Sequence, residues 1–233
     1  MRVAIHQPHY LPWLGYLAKW AAADLFIFLD VVQYEKNGWQ NRNRIKTGDG
    51  ACWLTVPVHA RLGTPIREVV IDGSQPWRAR HLRAIEQAYA RAPGLAAHRQ
   101  DLREFYAREW TRLAPLAAAS AEWLARATGI TTPVRLASDT GVTSGDPTGR
   151  LVALCRAVGA DTYLAGPDVV RYSDLTQFAS AGIGVLVQRY EHPMYPQVHG
   201  EFVPFLSALD LLLTAEDQAL PILRRGDAWG RLV

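Results

Sequence analysis

Cysteine is almost absent from this chain. Cys52 and Cys155 are the only two in 233 residues, too few and too far apart for a disulfide framework or a CxxC metal site. Such sparing use fits a reducing compartment. Long apolar runs are missing as well. Asp24 and Asp30 bracket the stretch from Leu25 to Leu29, and nothing reaches the ~18 residues that a membrane span needs. The opening MRVAIHQPHY has no apolar h-region and no small-residue cleavage site, so no secretion signal is read there. Charge of one sign is scarce too: 25 basic against 22 acidic side chains leave +3, too slight an excess for wrapping nucleic acid. No Walker A phosphate loop, internal repeat or low-complexity linker is present. These absences predict a cytoplasmic protein with neither nucleic-acid nor membrane partners, and leave a small anionic ligand open.

What is present is a globular composition. Hydrophobic residues make up 49% and charged residues 20%, which excludes disorder. A chain of 25.9 kDa can bury a large core. Within it, residues 6–46, HQPHYLPWLGYLAKWAAADLFIFLDVVQYEKNGWQNRNRIK, gather Gln, Asn, Trp, Tyr, His and Arg around one apolar run. That is the usual lining of a small-molecule pocket.

Residues 2–5 read as a buried strand that Pro8 ends. Trp13, Leu14, Leu17, Ala18, Trp20 and Ala21 recur at helical spacing behind Pro12. Residues 25–29 form a continuous apolar run of the parallel-strand type, so a βαβ unit opens the chain. A polar stretch through residues 31–45 leads to strand candidates at 52–58 and 66–71. Alanine, arginine and leucine at helical spacing then predict two or three helices, with Leu82, Ile85, Ala88 and Tyr89 on one face and Leu116, Ala119, Trp123 and Leu124 on another. Their arginines read as a solvated face. After residues 131–133 the α/β pattern resumes. A helix carries Leu151, Leu154, Cys155 and Val158 and ends at Gly159, and a strand at 162–164 runs into Ala165-Gly166-Pro167. A helix at 175–181, a strand at 185–190 and a last amphipathic helix from Phe205 to Leu212 complete the pattern. The predicted fold is α/β, a mostly parallel Rossmann-like sheet with a nucleotidyltransferase-like outline. Residues 1–233 are read as a single domain, with a helical insertion at about 77–130. Loops after parallel strands bind ligands at the carboxyl edge, so His6 to Tyr10 and Gly166 are expected to share one pocket.

Five motifs, HQPHYLPWLGYLAKW, FLDVVQYEKNGWQNRNRIKT, WLTVPV, GADTYLAGP and YPQVHGEFVPFLSALDLL, taken in order, resemble the WbqC-like protein family across nearly the whole chain. The resemblance implies a role in surface-polysaccharide or natural-product (antibiotic) biosynthesis, with a transfer reaction such as acylation of an amine. Two positions depart from the family pattern. Val31 stands where LDDVQY has a second carboxylate, and Ala165 where YLSGP has a hydroxyl, so a paired-acid metal site and a serine nucleophile both lose their residue. The opening strand, His-containing loop and helix also resemble adenylate-forming nucleotidyltransferases with HxGH loops. His6 and His9 do not have that spacing, so only the fold analogy carries over.

The candidate catalytic residues are His6, His199, Asp30 and Cys155. An imidazole titrating near neutrality can accept a proton, and it can also simply cap backbone in a polar loop. Asp30 ends an apolar strand, where a carboxylate needs an arginine partner such as Arg42 or Arg44, or a pocket. Cys155 is a possible thiolate for thioester exchange, although its apolar neighbours favour a small buried hydrophobe. Trp39, Gln40, Asn41, Arg42 and Asn43 offer a stacking surface, amides and a guanidinium fork in succession. Gln7, Tyr10, Gln33, Gly166, Tyr195 and Gln197 complete the expected binding set, with Gln7 and Asn41 as oxyanion donors. No metal site is expected, because His192, His199 and Asp210 lack ligand spacing. The expected activity is acyl or aminoacyl transfer from a carrier-protein or coenzyme A thioester to an amine of a sugar-derived acceptor, forming an amide. No resident cofactor is signalled; a phosphopantetheine-linked acyl donor and an acyl carrier protein are the partners this chemistry admits. A nucleotidyltransferase-like enzyme acting on a sugar or small acid, and a non-catalytic module that binds glycan precursors, are the two alternatives.

Overall fold

A computed structural model of the chain describes residues 1–143 and 145–233. β1 (Arg2–His6), α1 (Leu14–Ala21) and β2 (Leu25–Phe28) come first. Two antiparallel pairs follow, β3 (Arg42–Thr47) with β4 (Gly50–Thr55), and β5 (Val58–His59) with β6 (Val70–Ile71). Helices α2 (Trp77–Ala88), α3 (Leu95–Ala107) and α4 (Leu113–Ala127) precede β7 (Val134–Leu136), α5 (Pro147–Ala157) and β8 (Thr162–Ala165). The chain finishes with α6 (Val169–Tyr172), α7 (Leu175–Ser180), β9 (Gly184–Tyr190), α8 (Ala208–Thr214), α9 (Ala219–Arg225) and β10 (Asp227–Arg231).

The main sheet is six-stranded, in the order β10, β9, β8, β1, β2, β7. Its neighbours pair in parallel except β10, which runs against β9. The fold is therefore the mostly parallel, Rossmann-like α/β architecture expected from the sequence. From β1 the chain moves first to β2 on one side and later to β8 on the other. That reversal makes the β1/β8 boundary a topological switch point, where parallel sheets open a crevice at their carboxyl edge.

Strand alternation sorts the sheet's side chains onto two cores. Ala4, Phe26, Phe28 and Leu164 pack with α1, α2, α3, α4 and α8 on one face. Val3, Ile5, Ile27, Tyr163, Val185 and Val187 pack with α5 and α7 on the other. Burial on both faces is why these strands read as apolar runs. In α4 the buried stripe is Leu113, Leu116, Ala117, Ser120, Ala121 and Leu124, slightly rotated from the stripe the sequence suggested. The helical arginines form surface ion pairs, Arg103 with Glu86 and Arg126 with Glu122, as a solvated face should.

Several elements differ from expectation. The polar stretch before Thr47 is the strand β3, residues 52–58 are split between β4 and β5, and residues 66–68 form a 3-10 turn ahead of the two-residue β6. The helix holding Leu209 to Leu212 is not the last element, because α9 and β10 follow it. Among the described residues no helix is long and apolar enough to cross a membrane.

One close approach ties the helical layer together. Gly94, between α2 and α3, donates its N–H to the Leu213 carbonyl at 2.9 Å. A Cβ on it would lie 2.9 Å from the Leu212 oxygen and 3.0 Å from the Leu213 oxygen. Both obstacles are backbone, so Gly94→Ala is expected to cost about 2–4 kcal/mol in urea unfolding. A loss below about 0.5 kcal/mol would show that α8 can move aside.

Candidate active site

His6 is the last residue of β1 and shares the sheet face of Ala4, the face that α1 covers. Helix α1, LGYLAKWA, is buried at every position from Leu14 to Trp20, so its polar groups are held within the layer. Tyr16 and Lys19, three residues apart, lie on one side of it. The His6 ring meets the His9 and Tyr16 rings edge-on at 4.7 Å each, and His9 stacks on Tyr16 at 5.1 Å. A single carbonyl orients the group. Gln7 O accepts the Tyr16 hydroxyl at 3.0 Å and the His6 Nδ1–H at 3.2 Å. A proton on Nδ1 leaves Nε2 as the basic nitrogen of His6. The Gln7 side chain accepts the Gln40 amide at 2.8 Å, and Gln40 accepts the Glu35 N–H at 2.9 Å, which fastens the turn leading into β3 to the same loop.

Burial dominates the electrostatics. It lowers the His6 pKa well below 6.5 and the His9 pKa to about 3, with the Lys19 charge adding to both shifts. Both imidazoles are therefore neutral at pH 7. Lys19 is only 2% exposed, and burial brings its ammonium down to about 7. A Cβ on Gly166, at the carboxyl end of β8, would lie 4.0 Å from its Nζ. The structure thus places Gly166 beside the histidine loop.

Aromatic side chains wall the β9 end of this edge. Trp13 meets Tyr190 at 5.5 Å, Phe205 at 5.7 Å and His192 at 6.5 Å. Its indole folds over Gly15, where any Cβ would run into the ring. His192 Nδ1–H donates to the Pro193 carbonyl at 3.0 Å, and its Nε2 is buried without a partner. Trp39, ahead of β3, and Trp53, on β4, are both exposed and lie 5.5 Å apart, and the Arg42 guanidinium stacks 4.4 Å above Trp53.

The other expected site residues are dispersed. Strand alternation divides the WQNRN segment. Asn41 is buried and donates to the Val56 carbonyl at 2.8 Å, and Asn43 donates to the Leu11 carbonyl at 2.7 Å, while Arg42 turns outward onto Trp53. The Asn41 amide nitrogen is thus committed to the backbone, while no hydrogen bond joins Gln7 Nε2 to any described residue. Asp30 is buried, but its partner is not an arginine: Oδ1 accepts the Ser138 N–H at 3.0 Å and Oδ2 the Ser138 hydroxyl at 2.7 Å, a clamp between the ends of β2 and β7. Tyr10 points into the helical layer, with its hydroxyl 2.9 Å from His81 Nδ1 and beside that of Tyr106. Gln33 is exposed and bridges to Pro65. His199 Nε2–H donates to the Ala88 carbonyl at 2.5 Å, and its ring touches none of the His6 cluster. Gln197 spans its own loop, exchanging hydrogen bonds with Val203 at 2.9 and 3.0 Å. Tyr195 is buried near the Asp210 carboxyl, which is itself raised by burial and accepts the Tyr89 hydroxyl at 2.7 Å. Cys155 is buried in the core on the opposite face of the sheet from His6, which pushes its thiol up to about 12.

Lys19 and Tyr16 were not singled out from the sequence, and His192 was weighed there only as a metal ligand. For Lys19 the signal was a single cation inside a helix apolar on all sides. A surface depression of about 1020 Å³ between α3 and α4 lies elsewhere. His98 and Trp123 line it, and His98 is paired with Glu216 at 2.9 Å; it lacks the convergence of unpaired polar groups found at the β1 edge.

Buried bases make stability depend on pH. Between about 7 and the ordinary lysine value of 10.5, the unfolded chain holds a proton on Lys19 that the folded protein lacks, so stability rises with pH. Ionisation of unfolded tyrosines reverses this above about 10, because burial keeps Tyr10 and Tyr16 protonated in the fold. On the acid side, His9 and His81 stay neutral down to about 3 and 4. Unfolded imidazoles charge near 6.5, so stability falls as pH drops below that value. Urea unfolding at pH 9.5 should therefore give about 2–3 kcal/mol more stability than at pH 7, and Lys19→Met should remove the difference. A flat or falling profile between these pH values in the wild type would contradict a buried ammonium.

The family model described as the WbqC-like protein family matches residues 7–222. A curated relative, the Uncharacterized protein Rv1507c of Mycobacterium tuberculosis (strain ATCC 25618 / H37Rv), is 37% identical over 227 residues, covering 96% of this chain and 97% of its own length. No solved structure matches. The family match runs through the histidine loop after His6, helix α1, the β3–β4 hairpin and the Gly166 turn, and on the two matches together the chain belongs to the WbqC-like protein family.

Proposed function

We propose that the protein is a biosynthetic transferase that forms an amide between an acyl or aminoacyl group, delivered as a carrier-protein or coenzyme A thioester, and an amine of a sugar-derived acceptor. The observation that carries this reading is His6, a neutral imidazole at the switch point whose Nδ1–H is held by the Gln7 carbonyl. Its Nε2 is the nitrogen available to take a proton. The acceptor nitrogen attacks the thioester carbonyl and forms the C–N bond, its proton passes to His6 Nε2, and the C–S bond breaks. The departing thiolate takes that proton back from His6, leaving the base as it began. In this reading Gln7 Nε2 donates to the developing oxyanion, and the exposed Trp39 and Trp53 rings offer stacking for a sugar ring. Neither Cys155, behind the sheet, nor His199, bound to Ala88, is required. Family membership supports a biosynthetic role through the glycan and natural-product pathways that the motif resemblance implies.

Purified protein supplied with acyl thioesters and amino sugars should form an amide, and His6→Ala should slow it about 10²–10⁴-fold without loss of folding. If no pair yields amide and His6→Ala leaves the host pathway intact, transfer at this site is wrong. The parallel-sheet switch point also favours a nucleotidyltransferase-like reading, since such crevices accept nucleotides. ATP with Mg²⁺ should then raise the melting temperature, and no shift at millimolar nucleotide would set that alternative aside.

A further inference from the structure

Two lysines are buried in the α1 layer and its surroundings, and the protein treats them differently. Lys46 donates its ammonium to the Gly200 and Glu201 carbonyls. Lys19 has no hydrogen bond and no ion pair to any described residue, although it is 2% exposed. An ammonium removed from water without a counter-charge costs several kcal/mol in real proteins, and helix α1 would lose nothing in packing with a methionine there. Helical side chains lean toward their own N-terminus. For α1 that end is the carboxyl edge of the sheet, and the lean brings Nζ up beside Gly166. At residue 166 the missing side chain is what keeps the space next to Nζ open, between the half-buried Gly166 and half-buried His6.

We propose that Lys19 seats an anionic group of the ligand, a carboxylate or a phosphate, which enters over Gly166 and supplies the ion pair that the protein itself leaves open. This rests on placing the ligand at the His6 edge and not on the acyl-transfer chemistry. The titratable groups facing Lys19 are His6 on β1 and His9 in the following loop, with the Tyr16 phenol against both rings. Burial favours the neutral form of both imidazoles and of the phenol, so a loss of anion affinity between neutral pH and pH 9 reports Lys19. Its charge also helps to hold His6 unprotonated. An anion that neutralises Lys19 therefore raises the basicity of His6, so that the base is strengthened only when ligand is in place.

The test is thermal unfolding of the full chain with sodium acetate or sodium phosphate, each matched to sodium chloride of equal ionic strength, at pH 6 and pH 9. Acetate is ionised at both pH values, so it isolates the lysine; phosphate separates a phosphate seat from a carboxylate seat. A shift of a few °C above chloride is expected at pH 6 with at least one of the two anions. Acetate affinity should fall by up to about 100-fold at pH 9, as Lys19 deprotonates. Lys19→Met should show no anion-specific shift and, without anion, should melt no lower than the wild type; Lys19→Gln serves if the methionine variant does not fold. His6→Ala should keep the shift. Anion binding that depends on Lys19 stands even if no amide is ever formed. The proposal is overturned if neither anion exceeds chloride at pH 6, if the acetate shift is unchanged at pH 9, or if it survives in Lys19→Met.

Discussion

The carbonyl of Gln7 governs the geometry of this edge. It follows a strand wedged between two parallel neighbours, so its position is fixed by the register of β1 with β2 and β8. From there it takes the Tyr16 hydroxyl and the His6 Nδ1–H together, which sets the tautomer of His6 and locks α1 against the loop. The neighbouring side-chain amide extends the same arrangement through Gln40 to the hairpin. Losing that carbonyl's position would release the base, the stacked His9 and the helix at once.

Energetically the cluster runs against good packing. Two imidazoles and an ammonium are gathered there with no carboxylate among them, whereas Asp30 is answered by Ser138, Asn43 by Leu11 and Arg44, and Lys46 by two carbonyls; His192 Nε2 is a further unanswered group at this edge. Local inconsistency of this kind is where proteins retain groups for function. The position reinforces the chemistry, since the cluster lies at the one place where the strand order reverses.

Much of this could be read from the sequence, and what could not has identifiable causes. The β1, α1 and β2 unit was visible because apolar runs and helical spacing directly report burial. Strand β7 hid because it has three residues with Arg135 in the middle, and β10, DAWGR, because an antiparallel edge strand needs no apolar run. The β3 strand looked like a loop since two of its three buried residues, Asn43 and Lys46, are polar and satisfied by carbonyls that sequence cannot locate. His6, Gln7 and Gly166 were expected to share an edge and are found near one another. His199 and Cys155 carry equally suitable chemistry, yet one is turned to the Ala88 carbonyl and the other lies behind the sheet. Lys19 escaped notice because helical lysines ordinarily reach water, whereas this one lies in a helix buried from Leu14 to Trp20 and is 2% exposed.

The most direct measurement is an NMR titration of the Lys19 side chain in the ligand-free protein, followed at Cε with isotopically labelled lysine and assigned by Lys19→Met. A midpoint at about 7, set apart from the other lysines, is the result expected of an unanswered ammonium buried beside His6 and His9. A midpoint near the ordinary 10.5 would mean that the charge is solvated or paired, and the site as described would not exist.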